Sequence, residues 1–265
     1  GDSLYTSSLV ALDARSGKLR WYQRQVPHDR WGYDVASPPV LFDLDVDGQR
    51  LPALASPSKL GWVYVHDRRD GRFLYKSDAF VPQRNLFTPP QPGDGVLVAP
   101  GIAGGANWSP SAYDASLGLI FVPATHLPTR YIAHEVTRPD GSVLQYASTE
   151  NSDERGGTLS ALDLRQAGRL RWQVKIDEPL IGGVLSTASG LIFSGIGHGV
   201  FAAIDSASGK QLWSHACEAG VNAPPITYSI GGRQFVAVAA GGNSLFGLKT
   251  GDSVVVFGLP DDPAK

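Results

Sequence analysis

The sequence predicts an all-β chain organised as a β-propeller of four-stranded antiparallel blades, and three observations carry that prediction. The first is an internal repeat: Ala11-Leu12-Asp13-Ala14-Arg15-Ser16-Gly17-Lys18-Leu19-Arg20-Trp21 recurs as Ala203-Ile204-Asp205-Ser206-Ala207-Ser208-Gly209-Lys210-Gln211-Leu212-Trp213. With one residue inserted it recurs at Ala161–Trp172, and a looser copy spans Val65–Tyr75. The second is spacing. The closing aromatics Trp21, Tyr75, Trp172 and Trp213 lie 54, 97 and 41 positions apart, which fits a unit of forty to fifty residues, the length of a propeller blade. The third is composition: Gly 31 and Pro 19 punctuate short β-rich runs, and no helical period persists for three turns.

Each element follows from its local pattern. Residues 1 to about 26 read as the second half of a blade, two strands joined by a turn with Asp13 at its start and Gly17 near its end. Gln23–Asp34 crowds proline, glycine and charge between two β-like runs, where a scaffold places a functional loop. Val40–Tyr75 reads as a blade. Asp43-Leu44-Asp45-Val46-Asp47-Gly48 inside it looks like the start of a calcium loop, but no Glu stands where an EF-hand needs one, so a hairpin turn is expected. Phe80–Gly105 reads as a long surface excursion and Tyr131–Gly157 as a polar loop leaving its blade, with strands resuming over Ala112–Ala124 between them. Val184–Trp213 shows four strands separated by Ser189-Gly190, a Gly-rich stretch and Ser208-Gly209. Ala223–Pro260 supplies three strands without a fourth.

Charge and cysteine content narrow the function classes. Lys plus Arg is 23 against 25 for Asp plus Glu, a balance that argues against a nucleic-acid surface. Cys217 is alone, so no internal disulfide forms, and a buried small hydrophobe is the expected role. No window approaches the ~18 apolar residues of a membrane helix. The chain enters a strand pattern at once, without a leader, and reads as a mature piece or a fragment.

An ordered set of motifs resembles the C-terminal half of the pyrroloquinoline quinone (PQQ)-dependent alcohol and glucose dehydrogenases, which are eight-bladed propellers. The set comprises Leu4–Trp21, Pro27-His28-Asp29-Arg30-Trp31-Gly32-Tyr33-Asp34, Ser58–Gly71, Gly104-Gly105-Ala106-Asn107-Trp108, Ala112-Tyr113-Asp114, Gly182-Gly183, Asn222–Tyr228 and Gly251-Asp252. The resemblance implies one partial propeller domain over residues 1–265, about half a ring, completed by an N-terminal half. It implies that the four closing aromatics are docking residues, packed in the core between blades.

It also implies an activity: metal-assisted oxidation of a small-molecule alcohol or sugar hydroxyl by PQQ with calcium or a lanthanide. Electrons would pass to a cytochrome or quinone acceptor in the periplasm. Lys59 falls where the family places a cation on the quinone oxygens, a role that suits charge developing there. The family's general base and metal ligand directly after the loop Trp is here Gly32. Asp34, two residues on, matches a second aspartate found in lanthanide-using members, so Asp34 is the candidate base and metal ligand, with Asp29 and His28 behind it. Restoring Asp at position 32 should raise activity if Gly32 marks a lost base, and do nothing or harm if Asp34 has taken over. Asn107, Trp108, Thr125, Ile181, Gly182 and Asn243 are carried over as cofactor-chamber residues. The competing reading is a catalytically inactive propeller scaffold of the same lineage that lost its base at Gly32.

Overall fold

The computed structural model describes residues 3–46 and 48–260. The turn formers and short β-rich runs fold as the repeat demands. Strands β1 (Ser8–Leu12) and β2 (Leu19–Arg24) pair as a two-stranded sheet. Strands β3 (Val40–Val46), β4 (Gln49–Pro57), β5 (Val63–Asp67) and β6 (Phe73–Lys76) form the first four-stranded antiparallel blade. The β3–β4 connection is a hairpin turn in which Gly48 N–H donates to Asp45 Oδ1 at 2.9 Å, while Asp43 pairs with Arg50 and Arg68. Asp47 of that motif lies outside the described residues.

The next stretch departs from the sequence expectation twice. Phe80–Gly105 is no mere surface excursion: Phe80, Val81, Val98 and Ala99 are buried, and β7 (Val96–Val98) is a strand. After β8 (Ala112–Asp114) and β9 (Leu119–His126), the supposed polar loop is a long hairpin, β10 (Thr129–Thr137) and β11 (Val143–Asn151). It pairs with β7 as a separate three-stranded sheet. Its polarity misled because β11 is exposed almost throughout, so its sequence lacks the apolar alternation that reports a buried face.

The chain then returns to its blade with β12 (Gly156–Asp163) and β13 (Arg169–Ile176), giving the order β13-β12-β9-β8. A third complete blade follows as β14 (Val184–Ser186), β15 (Leu191–Gly195), β16 (Val200–Asp205) and β17 (Gln211–Ala216). The last sheet, β18 (Ile226–Ile230), β19 (Arg233–Ala240) and β20 (Ser253–Gly258), has three strands, as expected. Three-residue 3-10 turns at Leu164–Gln166 and Ser244–Phe246 are the helical elements among the described residues, and no described helix is long and apolar enough to cross a membrane.

The core sits between blades, not inside them. On β9, Ile120, Val122 and Ala124 pack towards the first blade's Phe42, Ala53 and Val65, while Leu119 and Phe121 pack towards Val184, Ile192 and Ile204 of the third. Successive side chains alternate between two buried faces, so the strand reads as a continuous apolar run. The repeated turn locks each interface. Trp21 Nε1 donates to Arg68 O of the next blade at 3.2 Å, the Tyr75 hydroxyl donates to Leu164 O, and Trp172 Nε1 donates to Ser206 O at 2.9 Å. Each acceptor directly follows the repeat's aspartate. Gly71 and Gly209, both at positive φ, lie under these rings: a Cβ there would come within 2.6 Å of Trp21 and Trp172 respectively. These three aromatics are half-buried, not fully in the core as expected, and Trp213 is 41% exposed, edge-on to Phe257 of the last sheet. Cys217 is likewise half-buried, and its thiol is pushed up by partial burial.

The repeat's aspartates organise their turns. Asp67 is fully buried, accepts from the Arg69 backbone and side chain, and pairs with Arg69 at 2.6 Å and Arg72 at 3.5 Å. Chiefly through the Arg69 hydrogen bond, its carboxyl is held at about 2, below the ordinary 3.8. A depressed folded-state pKa stabilises above the ordinary value, and that stabilisation is lost as pH falls towards 2. Asp67→Asn should therefore lower stability near neutrality and flatten the acid limb of the stability–pH curve between about 4 and 2. Urea unfolding at a series of pH values measures this; parallel curves for both proteins would show that Asp67 carries no such linkage.

Candidate active site

The loop singled out in the sequence is built by its own aspartate and aromatics. Asp29 Oδ1 accepts from Trp31 N at 2.9 Å and Gly32 N at 3.1 Å, and its Oδ2 accepts from the Ser7 hydroxyl. Asp29 is thus consumed in shaping the turn, and His28 sits at φ 51° on its approach. Trp31 is buried, stacked 6.0 Å from Tyr33, with its Nε1 donating to Thr88 O at 2.8 Å. Tyr33 donates to Pro100 O and Tyr131 to Trp31 O, each at 2.7 Å. Burial pushes both phenols well above their ordinary range, so both remain hydrogen-bond donors. The loop is pinned to Thr88 and Pro100 of the 80–105 segment and to β10, contacts far apart in sequence.

The pinned loop presents two acceptors to one cation. Lys59 follows β4, is only 6% exposed, and its Nζ donates to Gly32 O at 2.7 Å and Asp34 Oδ2 at 2.8 Å. Its stem is covered by Gly104, where a Cβ would come within 2.3 Å of Lys59 Cγ. The same strip is fixed by backbone bonds from Gly105 N to Lys59 O and from Thr125 N to Gly105 O, both 2.8 Å. The Asp34 side chain is 69% exposed. The two groups are therefore in direct contact, with no gap between them for a quinone or metal.

Beside this pair lies a cleft of about 580 Å³ lined by Lys59, Asn107, Trp108, Arg155, Leu245 and Phe246, among others. Three carried-over residues thus share it. Trp108 is 52% exposed, so it is not a core residue, and Asn107 Nδ2 donates to Ala103 O at 2.9 Å. Thr125, Ile181, Gly182, Asn243 and Asp34 do not line it. Thr125 is buried at the end of β9, and Ile181 is buried with its carbonyl taking the Ser109 hydroxyl at 2.6 Å. Gly182 abuts Val221 O, and Asn243 caps the Ser244–Phe246 turn through Phe246 N. Sequence reasoning missed Asn151, Asp153 and Arg155, which β11 and the start of β12 bring back to the cleft. Their signal was the polar stretch itself, dismissed as a departing loop.

The cleft suits a polar, oxygen-rich planar ligand. An ammonium has three donors; Lys59 spends two on the protein, which leaves one for a ligand oxygen. The half-exposed Trp108 ring and the Arg155 guanidinium add a face and a second cation. PQQ, with its quinone oxygens and carboxylates, fits this donor set. A metal does not fit this chain alone. No group of three or more His, Cys, Asp or Glu among the described residues could hold one, and Asp34 offers a single carboxylate.

Comparisons with known proteins bear on the fold and the family. The glucose/ethanol/alcohol dehydrogenase β-propeller domain of the PQQ family matches residues 1–86 and 155–236. The chain is 35% identical to a quinoprotein ethanol dehydrogenase of Pseudomonas aeruginosa, over 95% of this chain and 44% of that protein. Among solved structures it resembles the quinohaemoprotein alcohol dehydrogenase from Comamonas testosteroni, at 27% identity and TM-score 0.80, covering 97% of this chain and 43% of that one. It also resembles a europium-containing methanol dehydrogenase, at 30% identity and TM-score 0.77, covering 91% and 45%. The chain therefore spans less than half the length of these relatives.

Gly32 bears directly on the expectation of a restorable base. It sits at φ +78°, and a Cβ there would meet Ile102 Cγ1 at 3.1 Å. Gly32→Asp should cost about 1–2 kcal/mol of stability from the left-handed backbone alone, and Ile102→Ala in the same protein should recover the steric part. A second substitution probes the ion pair. Asp34→Ala strips the buried ammonium of one of its two acceptors and should cost about 1–3 kcal/mol, whereas Asp34→Asn keeps an acceptor and should cost less. Denaturant midpoints rank all four proteins, and equal midpoints for the two Asp34 variants would contradict the pairing.

Proposed function

The chain belongs to the PQQ glucose/ethanol/alcohol dehydrogenase β-propeller family, and from that premise we propose that it carries part of the active site of a dehydrogenase oxidising an alcohol or sugar hydroxyl. The observation that supports this most directly is the buried Lys59 ammonium, held by Gly32 O and Asp34 with one donor left at the edge of the cleft. PQQ, when bound, supplies a two-electron, two-proton acceptor. Lys59 would orient it by donating its remaining N–H to one quinone oxygen and would stabilise negative charge on that oxygen. Because the ammonium is fixed on two sides before any ligand arrives, little reorganisation is needed at the moment of reaction. Asn107 and Trp108 border the ligand, and Thr125, Ile181, Gly182 and Asn243 act from behind by holding the cleft walls.

Asp34 is the candidate base. One carboxylate oxygen is engaged by Lys59 and the exposed other is available for a substrate hydroxyl proton. As a ligand to calcium or a lanthanide it would give one oxygen, and the remaining ligands would come from residues outside this chain, in the N-terminal half of the ring. The Trp21, Tyr75 and Trp172 contacts are read as the family's docking motif. The europium-containing relative favours a metal cofactor; a cytochrome or quinone acceptor and a periplasmic location are proposed from the family resemblance alone. One observation favours the scaffold reading instead: Gly32 brings a carbonyl, not a carboxylate, to the position after the loop Trp.

Reconstitution of the protein with PQQ and calcium or a lanthanide decides between them. Lys59→Met should weaken PQQ binding about tenfold or more, the loss of one charge-assisted hydrogen bond, and Asp34→Asn should lower alcohol-dependent dye reduction more than PQQ binding. With the N-terminal half of the ring supplied as well, PQQ binding without turnover would favour the scaffold, and no PQQ binding would reject both roles of the cleft.

A further inference from the structure

A second cavity, of about 370 Å³, adjoins the first, and Arg155 lines both. Its wall is formed by Phe80–Pro82 on one side and by the ends of β9, β12 and β13 on the other. Its charge is one-sided. The lining contains Arg155, Lys175 and His126 and no Asp or Glu, in a chain whose net charge is -2. Two cations and an imidazole around one concavity raise the local concentration of anions, and low-dielectric walls strengthen the effect.

The partners of these groups leave donors over. Lys175 forms no side-chain hydrogen bond or ion pair with a described residue. Arg155 spends Nη2 on Phe246 O at 2.9 Å, one of five guanidinium donors. His126 Nδ1 is buried without a hydrogen-bond partner, a state that costs free energy until something fills it. Glu154 lies 3.7 Å from His126 Nε2, on the ring's other side, and Arg84 holds it at 3.1 Å. Asp177 and Glu178, just beyond β13, are both engaged by His198. Gln173 Nε2 already serves Phe80 O and Ser160 Oγ, which fixes the pocket floor.

We propose that this cavity is a subsite for a small oxyanion, a carboxylate or phosphate group, gripped by Arg155, Lys175 and the Nδ1–H of His126. Because Arg155 stands at the junction, the oxyanion is either a free ion or the acidic end of a hydroxyl-bearing molecule whose other end reaches the first cleft. The anion would accept from His126 Nδ1–H and so give that buried nitrogen its missing partner.

Calorimetric titration of the quinone-free protein with inorganic phosphate tests the subsite independently of any cofactor, with sodium chloride at matched ionic strength as the screening control. The expected result is saturable binding with Kd on the order of 1 mM, weakened about tenfold or more by Lys175→Gln and by Arg155→Gln and accompanied by a shift of the His126 ring nitrogens. Both variants should keep the parent's thermal midpoint, and His126→Gln gives a third, uncharged check. A parallel titration with a hydroxycarboxylate separates the sources: binding tighter than both phosphate and acetate assigns the spanning ligand, and equal binding assigns a free ion. Heat matched by chloride, or binding untouched by Lys175→Gln and Arg155→Gln, overturns the proposal. Loss of PQQ binding in other experiments leaves this result unaffected.

Discussion

Every blade in this chain is a thin sheet with two apolar faces and no interior of its own. A strand such as β9 buries Ile120, Val122 and Ala124 against one neighbour and Leu119 and Phe121 against the other, so no blade is satisfied until it is flanked on both sides. Hydrophobic burial alone is indifferent to register. Register comes from directional bonds, in which Trp21, Tyr75 and Trp172 each donate to the carbonyl after the next blade's turn aspartate. The same constraint explains the outer faces of the arc. Val10 and its cross-strand partner Tyr22 are exposed at one end, and Ile226, Val254 and Val256 at the other, on faces turned away from the neighbouring blade. Contiguous apolar surface of this kind marks association, and the chain covers less than half of its relatives' length.

The site is a consequence of that scaffold. Lys59 can be buried because the strand before it is rigid, because Gly104 covers its stem and because the 23–34 loop delivers a carbonyl and a carboxylate to its head. The loop in turn owes its position to Trp31, Tyr33 and Tyr131, whose hydrogen bonds reach Thr88, Pro100 and the loop itself.

Much of this was legible in the residues. The repeat of Asp, Gly and Trp reported the turns and outer strands because the same backbone bonds recur in each blade, and the half-blade and three-stranded ends were readable from missing runs. Lys59, Asn107 and Trp108, named by resemblance, line one cleft, and their role towards a cofactor is proposed. The β10–β11 hairpin was not legible: with β11 solvated on both faces, nothing in its pattern separates strand from loop. That error hid Asn151, Asp153 and Arg155, since a loop leaving the blade would not return to its mouth. The direct Lys59–Asp34 contact also escaped, because sequence spacing says which face a side chain occupies but not how far it reaches. Gly32 read from sequence as a lost base; its φ of +78° adds that the backbone there favours a glycine.

The account rests on the Lys59 ammonium serving a quinone with the donor it does not spend on Gly32 and Asp34. A crystal structure of the protein with PQQ bound measures this directly. The account predicts a quinone oxygen within hydrogen-bond reach of Lys59 Nζ, about 2.7–3.2 Å, with the Gly32 bond retained and the cofactor bordered by Asn107 and Trp108. PQQ seated elsewhere, or bound in the cleft with Lys59 bonded to Gly32 and Asp34 alone, would contradict it.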